Sequence, residues 1–234
     1  MKSLLLCAAP ALILAFAAPA APKPKEKEKV QRKKFPGGVV LEIERKAKRV
    51  IVPAKVCLLE GPLEGLLTRT KKKEHEYILA TDADARVIAV ALIAAGAIQG
   101  KPAQFQPKYK AATGSSIAVK LRYTKGKKAV TVPASAWIRE AKGKKPLAVN
   151  WVFAGSLFGP NPDPEQKTPY LMANHGDVIC VCNMETALLD LAIESPKKFD
   201  IRHYEANKDK IPAKGTKVEV ILEVVAGKKG AKKP

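Results

Sequence analysis

The chain has 234 residues, of which 47% are apolar, 27% charged and 6% aromatic, and its formal charge is +20. That apolar share supports a real core and excludes disorder along the whole length. Four cysteines are too few for a disulfide scaffold, and a balance this basic favours polyanionic contacts such as anionic lipid, acidic glycan or nucleic acid.

Lys2, the apolar run from Leu4 to Ala18 and the small residues around Ala17 and Ala20 predict a signal peptide over residues 1–21. The run carries Pro10 and is shorter than the ~20 residues of a membrane anchor. No later apolar run exceeds Val87 to Ala95, so no transmembrane segment is expected after cleavage. Export to the periplasm or cell surface makes nucleic acid the least expected polyanion. It leaves Cys57, Cys180 and Cys182 in the mature chain.

Residues 22–34 hold seven cations against two Glu and almost nothing apolar, the composition of a basic Pro/Lys/Glu linker. Residues 227–234 form a similar basic tail. Between them, residues 35–226 are expected to make a single domain.

Val39, Leu41 and Ile43 alternate with Glu42 and Glu44, a half-buried strand. A second apolar stretch, Arg49 to Leu59, contains Pro53, which suggests an edge or a break. A turn follows at residues 60–65, then a charged run, then a short strand from Tyr77 to Leu79. Thr81 with Asp84 reads as a capping box for an apolar helix ending at Gly96, expected to be buried on most faces. The clearest amphipathic strand is Ile117, Val119, Leu121 and Tyr123, with Ala129 to Val132 as its hairpin partner. Further strands are read at Val149 to Phe153, Val178 to Cys182 and Val218 to Val224, and a second short helix at residues 184–193. The expected class is α+β: a mainly antiparallel sheet on one buried apolar helix.

Two connections, residues 99–116 and 155–170, are too long for simple turns. A binding site is expected beside the second, where Phe158 and Tyr170 offer aromatic contacts. In the strands, Trp151 and Phe153 read as core.

No phosphate loop, dinucleotide fingerprint, zincin motif or nucleophile elbow is present. Cys180 and Cys182 would share one face of a strand. With His75 and His175 they would make a ligand set for zinc or copper. The alternatives are buried structural thiols, or a disulfide with Cys57. Glu74, His75 and Glu76 offer a base and two carboxylates, or a solvated run answering Lys71 to Lys73. Glu60 and Glu64 flank the Gly61-Pro62 turn.

The runs Cys57 to Glu64, Lys73 to Glu76, Ala91 to Ala97, Trp151 to Ser156, Asp177 to Asn183 and Ala187 to Asp190 resemble the YdjY-domain family of exported bacterial proteins. The resemblance spans roughly residues 35–225. It implies no settled activity, but it adds weight to Glu60, Glu64, Glu74, His75, Glu76, Trp151 and Ser156 as site candidates. Some members of the family look joined to ferredoxin-type segments. This chain has no C-x₂-C-x₂-C-x₃-C-P run, so no iron–sulfur cluster is expected.

Two functional expectations follow. The first is an exported, non-catalytic binding or structural domain of the cell envelope, its basic arms attaching to an anionic polymer, a lipid surface or another envelope protein. The second is a metal-binding or redox accessory protein or enzyme using His75, His175 and Cys180/Cys182.

Overall fold

The computed structural model describes residues 30–45, 47–193 and 203–225. The expected signal peptide, residues 22–29 of the linker and the tail at 227–234 lie outside them.

The chain opens with an antiparallel meander, β1 (Gln31–Lys34), β2 (Val40–Glu44) and β3 (Ala47–Val56). The end of the expected linker is therefore an edge strand. Arg32 ties it down by reaching the buried Glu42 at 2.7 Å, and Arg49 meets the same carboxylate at 2.7 Å. Next come β4 (Gly65–Arg69), β5 (Tyr77–Thr81), the helix α1 (Ala85–Ala94), β6 (Ser116–Lys125), β7 (Lys128–Pro133) and β8 (Ile138–Glu140). Short strands follow: β9 (Trp151–Phe153), β10 (Phe158–Gly159), β11 (Tyr170–Leu171), β12 (Ile179–Cys180), β13 (Leu189–Leu191) and β14 (Tyr204–Ala206). The long β15 (Lys217–Val224) ends the described chain.

Eight strands close on themselves in the order β3, β15, β6, β9, β13, β12, β4, β5, and β5 returns to β3 through Lys55↔Ala80 and Val56↔Leu79. Closure removes the free edges of those strands. β1 and β2 extend the sheet beyond β3, and β7 pairs with the far half of β6. The sheet is mixed: β4–β5 and β12–β13 are parallel pairs. Pro53, which has no N–H to give, sits where β3 exchanges β2 for β5 as its neighbour.

The period-two pattern decides which side chains point inward. Val50, Val52 and Ala54 stand opposite Leu222, Val220 and Val218, which stand opposite Val119, Leu121 and Tyr123. All but Tyr123 are buried. On the other face Lys120 pairs with Glu223 at 2.6 Å and Arg122 with Glu219 at 2.5 Å.

α1 packs against β3 and β2 and joins the same apolar cluster through Ala85, Ile88, Ala91 and Leu92. Its N-cap is Asp84 rather than Thr81. Asp84 Oδ1 accepts from the Arg86 N–H at 2.7 Å, and Asn174 Oδ1 accepts from the Ala85 N–H at 2.8 Å. Thr81 is drawn away because its hydroxyl donates to Pro53 O at 2.6 Å. At the other end Gly96, at φ +97°, donates to Ile93 O while Ala97 donates to Leu92 O. This is the double bond of a left-handed helix stop. The helix is not covered on most faces as expected: Val90 and Ile93 are 54% and 53% exposed.

Residues 184–193 are not a helix. Leu189–Leu191 form β13, threaded between β9 and β12. The buried Asp190 carboxylate takes the N–H groups of Met184 and Leu191, which fixes the extended course. Apart from α1, the described residues contain only short 3-10 turns.

Candidate functional site

The parallel pairing of Gly65 with Tyr77 builds a buried polar cluster between β4, β5 and β12. A Cβ on Gly65 would stand 2.0 Å from Tyr77 Cε1 and 2.5 Å from Ile179 O, so only glycine leaves room for the ring. Tyr77 OH donates to Asp177 Oδ1 at 2.8 Å and lies 3.4 Å from Cys180 Sγ. Thr186 Oγ1 donates to Asp177 Oδ2 at 2.6 Å. Lys73 Nζ bridges Asp177 Oδ1 and Glu64 Oε2, each at 2.9 Å. Trp151 Nε1 closes the cluster from below by donating to Cys180 O at 2.7 Å.

The electrostatics push the two thiols, the phenol and the amine of this cluster towards their inert forms. Burial raises Cys180, and the Asp177 charge adds to it. Burial and Glu64 raise Cys182 in the same way. Tyr77 is raised by burial, Cys180 and Asp177. Burial alone would lower Lys73, but hydrogen bonds and charge from Glu64 and Asp177 outweigh it and raise the ammonium. Burial and Glu64 raise Glu76. A thiol held protonated and an amine held charged are poor nucleophiles.

The other expected site residues scatter. Glu60 is exposed and pairs with Lys208 at 2.6 Å. The Glu74 carboxylate accepts from the Lys71 N–H at 2.9 Å and so closes its own turn. His75 is 74% exposed, with Glu76 3.7 Å away. His175 packs against Tyr170 with ring centroids 4.9 Å apart and planes tilted by 42°, at the end of a 3-10 turn, Met172–His175. Ser156 is buried at φ +63°; its hydroxyl donates to Thr186 O and accepts from the Ala173 N–H, which makes it a structural pin. Phe158 is 62% exposed on the β10–β11 hairpin. Cys57, Cys180 and Cys182 are free thiols. No three His, Cys, Asp or Glu side chains among the described residues gather as a metal site. Glu64, Glu76, Cys180 and Cys182 come together; His75 reaches only Glu76, from the surface, and His175 lies apart against Tyr170.

A different feature has the form of a binding site. A groove of about 900 Å³ runs over the barrel wall made by β3, β15 and β6. Pro53 and the half-buried Tyr123 give it apolar surface, while Ala54, Val56 and Val218, also along it, turn their side chains into the core. Lys55 and Lys217, cross-strand partners, and Lys214 line it with cations that make no ion pair among the described residues. Glu74, Asp82 and the Arg122–Glu219 pair complete the rim. Cys57 opens onto this groove, its thiol raised to about 11 by burial and Glu74 against the pull of Lys214. This is not the expected location beside residues 155–170. The outward phase of Lys55 and Lys217 is readable from alternation, but their register across two strands distant in sequence is not.

The chain matches the model of the YdjY domain over residues 41–223. No curated protein and no solved structure matches it. The match covers most of the chain, which belongs to the YdjY domain family.

Proposed function

We propose that this YdjY-domain protein is an exported, non-catalytic binding domain of the cell envelope whose ligand lies in the groove over β3, β15 and β6. The groove itself carries the reading: it is open and preformed, with apolar surface at Pro53 and Tyr123 and three lysines that make no ion pair among the described residues. The ligand class that fits is a molecule with an apolar body and an anionic group. The inert state of Lys73, Tyr77 and the two buried thiols favours binding over catalysis. Export rests on the leader at residues 1–21.

Laurate, an apolar chain with one carboxylate, tests this by titration into isotope-labelled protein. Saturable amide shifts are expected at Lys55, Tyr123 and Lys217. Affinity should fall about tenfold in a K55E/K217E variant, since two rim charges are worth roughly 1–2 kcal/mol. Shifts confined to other surfaces, or an affinity unchanged by the double charge reversal, would overturn the assignment.

A further inference from the structure

We propose that a second surface, the flank formed by the outer face of α1 and the segments around Ile98 and Phe158, docks this protein onto an anionic lipid bilayer. Among the described residues seven large apolar side chains are exposed, and five of them are Val90, Ile93, Ile98, Leu157 and Phe158. Local geometry gathers these five. Val90 and Ile93 are one helical turn apart on the same face. The stop at Gly96 and Ala97 delivers Ile98 directly beyond the helix end. Gln99 packs its side chain against Gly155, which leads to Leu157 and Phe158. Leu157 in turn accepts from the Met172 N–H, and the turn begun by Met172 touches α1.

Charge selects the partner. From Ala85 to Arg139 the sequence contains no Asp or Glu but ten Lys and Arg. Three of these, Lys101, Lys108 and Lys110, are exposed in the loop that follows Ile98 and make no ion pair among the described residues. The loop after Phe158 adds two exposed carboxylates, Asp163 and Glu165, and one cation, Lys167, so the positive charge of the flank is concentrated on the side of Ile98. Apolar side chains with unpaired cations close by in the chain match the boundary between acyl chains and anionic headgroups. No helix among the described residues is long and apolar enough to cross a membrane. The contact is interfacial, with the five side chains entering the headgroup region and the lysines meeting lipid phosphates. The proposal is independent of the groove, which lies on β3, β15 and β6.

The test uses the full chain carrying F158W and vesicles of phosphatidylcholine with about 30% phosphatidylglycerol, a content chosen to give a negative surface potential. Trp137 and Trp151 are only 1% and 3% exposed, so a change in emission reports position 158. The expected result is a blue shift and quenching by lipids brominated on the acyl chain. Both should be absent with pure phosphatidylcholine, and binding should fall about tenfold in a separate I93D/F158D variant, by the loss of two buried apolar anchors. Co-sedimentation with vesicles but no change in emission from the introduced indole would assign the attachment to the basic arms and overturn the proposal. A mass that halves in I93D/F158D, measured without vesicles, would assign the flank to a second copy and overturn it equally. Free protein with unchanged emission and no sedimentation is the third refuting outcome.

Discussion

Replacing Lys73 by Met is the sharpest test of the buried cluster. The ammonium is the one cation between Glu64 and Asp177, at 2.9 Å from each, and Asp177 is almost fully buried. Removing one partner of a buried ion pair costs about 3–5 kcal/mol. Lys73 is 31% exposed and Glu64 15%, so water screens part of the loss, and about 2–3 kcal/mol is expected at pH 7. Lys73 has a raised folded pKa, so its contribution is complete below the ordinary lysine value and is lost only as pH climbs into the strongly alkaline range. Urea unfolding of both proteins at pH 7 measures the difference. A K73M variant as stable as the parent at pH 7 would contradict the buried bridge.

Asp190 carries a different pH signature. Burial raises it to about 7, against the opposing N–H bonds of Met184 and Leu191 and the Asn183 amide. A carboxyl with a raised folded pKa lowers stability as pH climbs from its unfolded to its folded value, so the parent should lose roughly 2–3 kcal/mol between pH 5 and pH 8 that D190N does not lose. Parallel stability curves for the two proteins would show that the N–H bonds win over burial. Gly65→Ala drives a methyl group into the Tyr77 ring and the Ile179 carbonyl; a loss of about 3 kcal/mol or more is expected by chemical denaturation, and a loss under about 1 kcal/mol would contradict the packing. Asn174→Ala leaves the Ala85 N–H without its acceptor. It should cost about 1–2 kcal/mol and raise hydrogen exchange at the start of α1, and unchanged exchange there would deny the cap.

Long alternation is what makes part of this fold legible in the sequence. β3, β6 and β15 carry seven-residue registers, and their inward faces follow from the period-two pattern alone. The barrel is hidden because it closes through β9, β12 and β13, each only two or three residues long, too short to show a period. β13 is also masked by composition: Ala187, Leu188, Leu189 and Leu191 satisfy a helical stripe as well as a buried strand, and the decision falls to Asp190, whose backbone bonds are tertiary facts. The helix cap moves from Thr81 to Asp84 for the same kind of reason, since Asn174 arrives from 90 residues away. Among site residues, Glu64, Glu76 and the cysteine pair do converge, but on Lys73, Tyr77 and Asp177 rather than on a histidine. Lys73 and Tyr77 are close neighbours in the chain, but Asp177 arrives from 100 residues beyond Tyr77, so no local spacing links all three.

The cysteines connect this chemistry to the proposed location. Under the proposed export, the free thiols of Cys57, Cys180 and Cys182 would face an oxidising compartment, where a reactive thiol would soon be modified. Reactivity follows the thiolate fraction. Moving Cys57 from 9.0 to about 11 lowers that fraction at pH 8 roughly a hundredfold. Cys180 is raised further and is fully buried beside Tyr77, so opening of the fold must precede its reaction. The expected order of native alkylation is therefore Cys57 first and Cys180 last, with Cys57 about a hundredfold slower than an unstructured thiol. Glu74→Gln removes one of the charges that raise Cys57 while leaving Lys214, and should speed that site alone. Iodoacetamide labelling at pH 8 followed by peptide mass spectrometry gives all three rates. Cys180 reacting as fast as Cys57 in folded protein would mean that the polar cluster is open to solvent, and both its inertness and the non-catalytic reading would lose their basis.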